Sequence, residues 1–191
     1  MIDDAIAVTE CGPESVKVNA IIQSKVDMKN LRLGHNKCFK MHVGKNDSCC
    51  PMLKVQEKPM LTSNREKYLG DLITSDCKIN YNIEERYNKG IGVSNQIIGL
   101  LKEISFVQHY FEMAVLFRQS MLINGILCNS EVLYGLNKSH IEKLESVDVY
   151  LWRNIFSSMV TTPIESYYIE TNTTLIRYII VARRFMTIGL Y

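Results

Sequence analysis

Near residue 77 the chain changes character, and that change limits its architecture more than any other feature. Before it, apolar residues come in short runs cut by Gly12-Pro13, Gly34, Pro51, Pro59 and Gly70. Beyond it, they recur at spacings of three and four over stretches too long for strands. The expected fold class is α+β and predominantly helical. A small layer of short antiparallel strands with one helix (residues 1–76) precedes a helical region (residues 77–191).

In the first part, Ala5 to Thr9 reads as a strand closed by Cys11-Gly12-Pro13. Gly12 and Pro13 open a helix, and Glu14 suits its positive N-terminal end. Val18, Ile21, Ile22 and Val26 line one side of that helix, which is expected to run to about Leu33 before Gly34. Cys38 to Val43 reads as a strand, Asn46 to Pro59 as a polar loop, and Tyr68 to Ile73 as a strand bent at Gly70. In the second part, Asn80 is expected to cap a helix reaching about Ile104, which Gly90 and Gly92 weaken by up to about 1 kcal/mol each. A helix over about Val107 to Tyr134 follows. Ser139 and Glu142 have capping-box spacing ahead of the stripe Leu144, Val147, Leu151 and Ile155. Thr162-Pro163 opens another helix, and the last, about Thr173 to Met186, ends in Arg183-Arg184.

Composition excludes some classes. The formal charge is 22 − 20 = +2, so no excess of bases advertises a polynucleotide. No run approaches the roughly 18 apolar residues of a membrane span. Six cysteines (Cys11, Cys38, Cys49, Cys50, Cys77 and Cys128) stand at irregular spacings without a secretory leader. They point to reduced thiols in an intracellular compartment, nuclear or cytoplasmic.

Few residues carry chemistry. Paired carboxylates such as Asp3-Asp4 suit hard divalent cations, which prefer oxygen ligands; alone, the pair is expected to be a hydrated acidic end, because such dipeptides are common. His35, Cys38 and His42, with Cys49-Cys50 beyond, offer ligands soft enough for zinc. Their spacing matches no common finger, and unrelated thiols and imidazoles are the expected reading. Arg177 and Arg184 share a helical face seven residues apart and, with Arg183, form a candidate phosphate contact; a solvated helix end is the plainer reading. Trp152, Tyr167 and Tyr168 read as packing residues.

The order of motifs is more specific than any one of them. Met1-Ile2-Asp3-Asp4, an apolar run, a proline-started helix, Gly34-His35-Asn36-Lys37-Cys38-Phe39-Lys40-Met41 and Lys67-Tyr68-Leu69-Gly70 follow in turn. Leu133-Tyr134-Gly135, Thr162-Pro163, Tyr167-Tyr168-Ile169-Glu170 and Arg183-Arg184 come later. Over nearly its whole length the chain resembles non-LTR (LINE-like) retrotransposon reverse transcriptases, from the last part of the palm through the thumb-like helices. The resemblance implies RNA-directed DNA polymerase chemistry by two Mg²⁺ ions, with an RNA template and a DNA primer as partners and no membrane. It assigns Asp3 and Asp4 as metal ligands, Lys37 as the lysine that protonates pyrophosphate, and Tyr68, Leu69 and Gly70 as the primer grip. Position 1 is methionine where the family has an aromatic residue. The fingers and the upstream metal-binding aspartate have no counterpart, so a fragment inactive in isolation is expected. The alternatives are a non-enzymatic helical module that binds protein or nucleic acid, and a translated relic.

Overall fold

The computed structural model describes residues 6–10, 12–43, 51–68, 71–104, 109–130, 133 and 135–188, with 187 and 188 by backbone alone. The fold is mixed α+β, about 60% helical with a few short strands. The chain divides into two compact units, Met1–Lys78 and Ile79–Tyr191.

In the first unit, α1 (Gly12–Met28) has no buried residue. It stops five residues short of the expected Leu33. Asn30 adopts a left-handed φ of 51°, its N–H bonds the Asp27 carbonyl, and the Leu31 N–H bonds the Val26 carbonyl (both 3.0 Å). That double closure ends a helix wherever a residue tolerates positive φ, and asparagine does. Asn19 and Gln23, one turn apart, donate to the main-chain carbonyl of Lys54. The polar side of α1 thus faces β2 (Lys54–Val55), and Ile21 remains 58% exposed.

A short 3₁₀ turn (His35–Lys37) leads into β1 (Phe39–Lys40), much shorter than the strand expected over 38–43. β1 pairs in parallel with β4 (Leu61–Thr62). Inside the expected polar loop, β2 and β3 (Lys58–Pro59) form a hairpin around Gln56-Glu57. Both turn residues have positive φ (50° and 67°), a conformation usually left to asparagine and glycine. β5 (Arg65–Tyr68) and β6 (Asp71–Thr74) make a second hairpin, with Tyr68 opposite Asp71. Ile6 to Thr9 form no regular element where a strand is expected; no strand among the described residues pairs with them.

The second unit is a helical core. It comprises α2 (Asn80–Glu103), α3 (Tyr110–Phe117), a π-helical stretch (Arg118–Ile123), α4 (Asn124–Ile126), α5 (Lys138–Phe156), α6 (Ile164–Glu170) and α7 (Ile176–Ile188). Ile83, Ile97 and Leu101 of α2 join Leu122, Ile126, Leu144, Val147, Leu151, Trp152, Ile176 and Ile180 in a single apolar cluster. Two expected caps differ. Asn80 does not cap α2; its Oδ1 accepts from His140 Nε2 (2.8 Å). α5 is capped by Asn137, whose Oδ1 accepts the His140 N–H (2.9 Å), while His140 Nδ1 accepts the Asn137 N–H. Ser139 donates to that same Asn137 oxygen instead of capping. Asparagine caps as well as serine, and Ser139, the second residue of α5, lies past the cap position.

Gly90 owes its place to packing. A Cβ there would lie 2.8 Å from Val147 and 2.9 Å from Ile126, whereas Gly92 and Gly99 face open space. Gly90 is what lets α2 approach α4 and α5 closely. Gly90→Ala is therefore expected to cost about 1–3 kcal/mol by overpacking. Gly92→Ala and Gly99→Ala are expected to gain about 0.5–1 kcal/mol each from helix propensity. Urea unfolding of the three variants checks the opposite signs.

Candidate functional site

The residues singled out from the sequence fall into both units. Lys37 closes the 3₁₀ turn, its N–H donating to the Gly34 carbonyl (2.8 Å), and its side chain is exposed. Two residues on, Phe39 pairs with Leu61, and the Ser63 N–H extends the pairing to the Lys40 carbonyl (3.0 Å). β5 begins two residues after Ser63. The segment carrying Lys37 is thereby stitched to the segment that leads into the β5–β6 hairpin. Tyr68 ends β5, half-buried, and the Tyr68–Asp71 pair brackets positions 69 and 70. Asp3, Asp4, Leu69 and Gly70 lie outside the described residues, as do Cys11, Cys49 and Cys50.

Around Lys37 the chemistry is muted. Burial pushes the Cys38 thiol above its ordinary range, which holds it in the unreactive protonated form. Among the described residues, buried His35 Nδ1 and His42 Nε2 have no hydrogen-bond partner. Among the described residues, no three histidines, cysteines or carboxylates come together as a metal site.

All three candidate arginines are bound within the helical unit. Arg177 grips Glu145 of α5 with Nε (2.8 Å) and Nη2 (2.5 Å), and that hydrogen-bonded carboxylate holds the guanidinium firmly in its charged form. Arg183 donates to the Leu127 carbonyl (2.5 Å) and to Asn124 Oδ1 (3.2 Å). Arg184 donates to the Leu133 carbonyl (2.6 Å). These bonds fasten α7 to α5 and to the segment after α4. A phosphate would have to compete with each of them.

The helical unit also buries an ion pair that sequence reasoning passes over. Arg118 and Asp148 are 2% and 0% exposed. Arg118 Nε reaches Asp148 Oδ1 (2.8 Å), and Nη2 reaches both Asp148 Oδ2 (2.6 Å) and the Thr174 carbonyl (2.8 Å). The Tyr168 hydroxyl donates to Asp148 Oδ2 (3.0 Å). Burial first, and the Asp148 charge after it, push the Tyr168 phenol upward, so it remains a donor. The Arg118 guanidinium lies 5.9 Å from the ring centres of both Trp152 and Tyr168. Four segments meet here: the π-helical stretch, α5, α6 and the loop before α7. Two signals mark the pair in the sequence. An aspartate stands inside the Leu144–Leu151 stripe, and an arginine interrupts the apolar run Met113 to Cys128.

Comparison with protein-family models, with curated proteins and with solved structures gives no match. Among the described residues, no helix is long and apolar enough to cross a membrane.

Proposed function

We propose that the chain is a fragment of an RNA-directed DNA polymerase of the non-LTR retrotransposon type, spanning the end of the palm and the thumb-like helices. The observation that carries the reading is the order of motifs on elements. An acidic doublet precedes a helix, the helix precedes the strand segment with Lys37, and Tyr68 of the Tyr-Leu-Gly motif ends the first strand of an antiparallel pair. A helical unit follows directly.

In this reading Asp3 and Asp4 would hold Mg²⁺ by their carboxylate oxygens, as hard cations prefer. The metal, when bound, supplies a charge that favours the attacking and departing oxygens of nucleotidyl transfer. Lys37 offers a proton to the departing group. Tyr68, Leu69 and Gly70 bring backbone close to a primer end. In this reading the chain taken alone binds Mg²⁺ weakly and does not polymerise. The RNA template and DNA primer are the partners in this reading. Arg177, Arg183 and Arg184 are secondary contacts, reached only by exchanging their present bonds.

Primer extension with Mg²⁺ on a primed RNA template is expected to give no incorporation; incorporation lost in Asp3→Ala would contradict the inactivity. Binding to a labelled RNA–DNA hybrid is expected to weaken as salt rises, with Lys37→Ala lowering the salt slope by about 1. Salt-insensitive or absent binding counts against the polymerase origin. The self-contained core of residues 79–191 favours a second reading, a non-enzymatic helical binding module. An unaltered hybrid affinity in Lys37→Ala would support that one.

A further inference from the structure

We propose that Thr162 is a phosphorylation site for a proline-directed kinase, and that its phosphate docks on Arg153 at the end of α5. The chain has four prolines, and Pro163 is the one that follows a hydroxyl residue. It stands at φ −55° and ψ 136°, the extended conformation of polyproline II. The loop that carries the pair, residues 157–163, contains no helix or strand, and Met159 and Val160 are each 78% exposed. A segment with so little buried surface opens to another enzyme at small cost.

The receiving group is already in place. Arg153 lies in the last turn of α5, where the helix dipole favours a cation. Among the described residues it has no carboxylate partner. Its Nη2 donates to the Val160 carbonyl (3.0 Å), and its Nε is buried with no acceptor among the described residues. Tyr167, 3% exposed and stacked on Phe156, anchors the loop. Its hydroxyl pairs with Ser158 Oγ (2.5 Å), and the side chains of Thr162 and Arg153 both act on that same phenol by hydrogen bonding. Sharing one partner puts the Thr162 hydroxyl within about 7 Å of the guanidinium. In the transfer, the Thr162 oxygen bonds the γ-phosphorus of ATP while the bond to ADP breaks, and the hydroxyl proton passes to the kinase's base. The product carries up to two negative charges and three acceptor oxygens, which a guanidinium fork binds strongly. The loop is thereby closed onto the end of α5. This site is independent of the polymerase reading.

The folded full chain, incubated with a proline-directed kinase and MgATP, is expected to gain a phosphate on Thr162, located by peptide mass spectrometry. Amide exchange over residues 158–162 should then slow at least about tenfold, the effect of one charge-assisted pair. Arg153→Gln should accept the phosphate equally well yet keep its exchange within about threefold of the unphosphorylated chain. High salt should shrink the slowing in the unsubstituted chain, a readout that holds even where Arg153→Gln unfolds. A folded chain that gains no phosphate on Thr162 overturns the proposal. So does a phosphorylated loop that exchanges no more slowly, or a slowing that persists at high salt or in folded Arg153→Gln.

Discussion

Asp148→Ala is expected to remove about 3–5 kcal/mol of unfolding free energy, enough to unfold a domain of ordinary stability. The cost does not measure the worth of the ion pair, because most of it comes from what stays behind. Arg118 is 2% exposed, and without Asp148 its charge is stranded among Trp152, Tyr168 and the core aliphatic residues. The Tyr168 hydroxyl loses its acceptor at the same time. Desolvating a charge outweighs the attraction regained, so replacing both partners is cheaper than replacing one. Arg118→Met combined with Asp148→Leu should therefore recover most of the lost stability. Chemical denaturation of the two single variants and the double variant checks this. Near-additive losses would contradict it.

Trp152→Ala should cost a similar amount, about 3–5 kcal/mol, through loss of buried apolar area and the cavity left behind. Trp152 has no exposed surface. Its ring packs against Phe156 at 6.0 Å, and Phe156 stacks in turn on Tyr167 and on Phe111. Truncation removes the inner support of that aromatic row and uncovers Arg118 on one side. Trp152→Phe should be much milder, below about 1.5 kcal/mol. The indole N–H is buried with no acceptor among the described residues, so exchanging it for C–H removes an unsatisfied donor along with some volume. Thermal unfolding distinguishes the two variants. Equal losses would mean that the ring is held by its nitrogen and not by its volume.

Much of the helical unit is legible in the sequence because a helix that buries one side repeats its apolar residues every three or four positions. The stripe Leu144, Val147, Leu151 announces α5, and Ile83, Ile97 and Leu101 mark the inner side of α2. What periodicity does not carry is the ending of a helix. α1 stops at Met28 because Asn30 takes positive φ, a backbone event with a weak residue signal. The β2–β3 hairpin is hidden for the same reason: its turn residues, Gln56 and Glu57, are not those that favour such a turn. Gly90 reads as a weakness in α2 until Val147 and Ile126 are seen against it.

The candidate site is legible to a different degree. Lys37, Tyr68 and the acidic doublet stand out only through the likeness in motif order, since no local spacing singles them out. The three arginines stand out in the sequence as charges, but their partners Glu145, Leu127 and Leu133 lie far along the chain, and sequence separation hides such contacts. The Arg118–Asp148 pair is hidden for that reason too. Each residue alone looks like an interruption, and the 30 positions between them conceal their meeting.

Manganese can take the place of magnesium at carboxylate ligands and broadens the resonances of nearby nuclei, so it reads weak occupancy directly. In amide spectra of the full chain titrated with Mn²⁺, the signals of Lys37 and Tyr68 should broaden first. Asp3→Asn with Asp4→Asn should remove that broadening while the spectrum otherwise persists. Broadening that spares both residues, or that survives loss of the two carboxylates, would contradict the polymerase origin proposed for this chain.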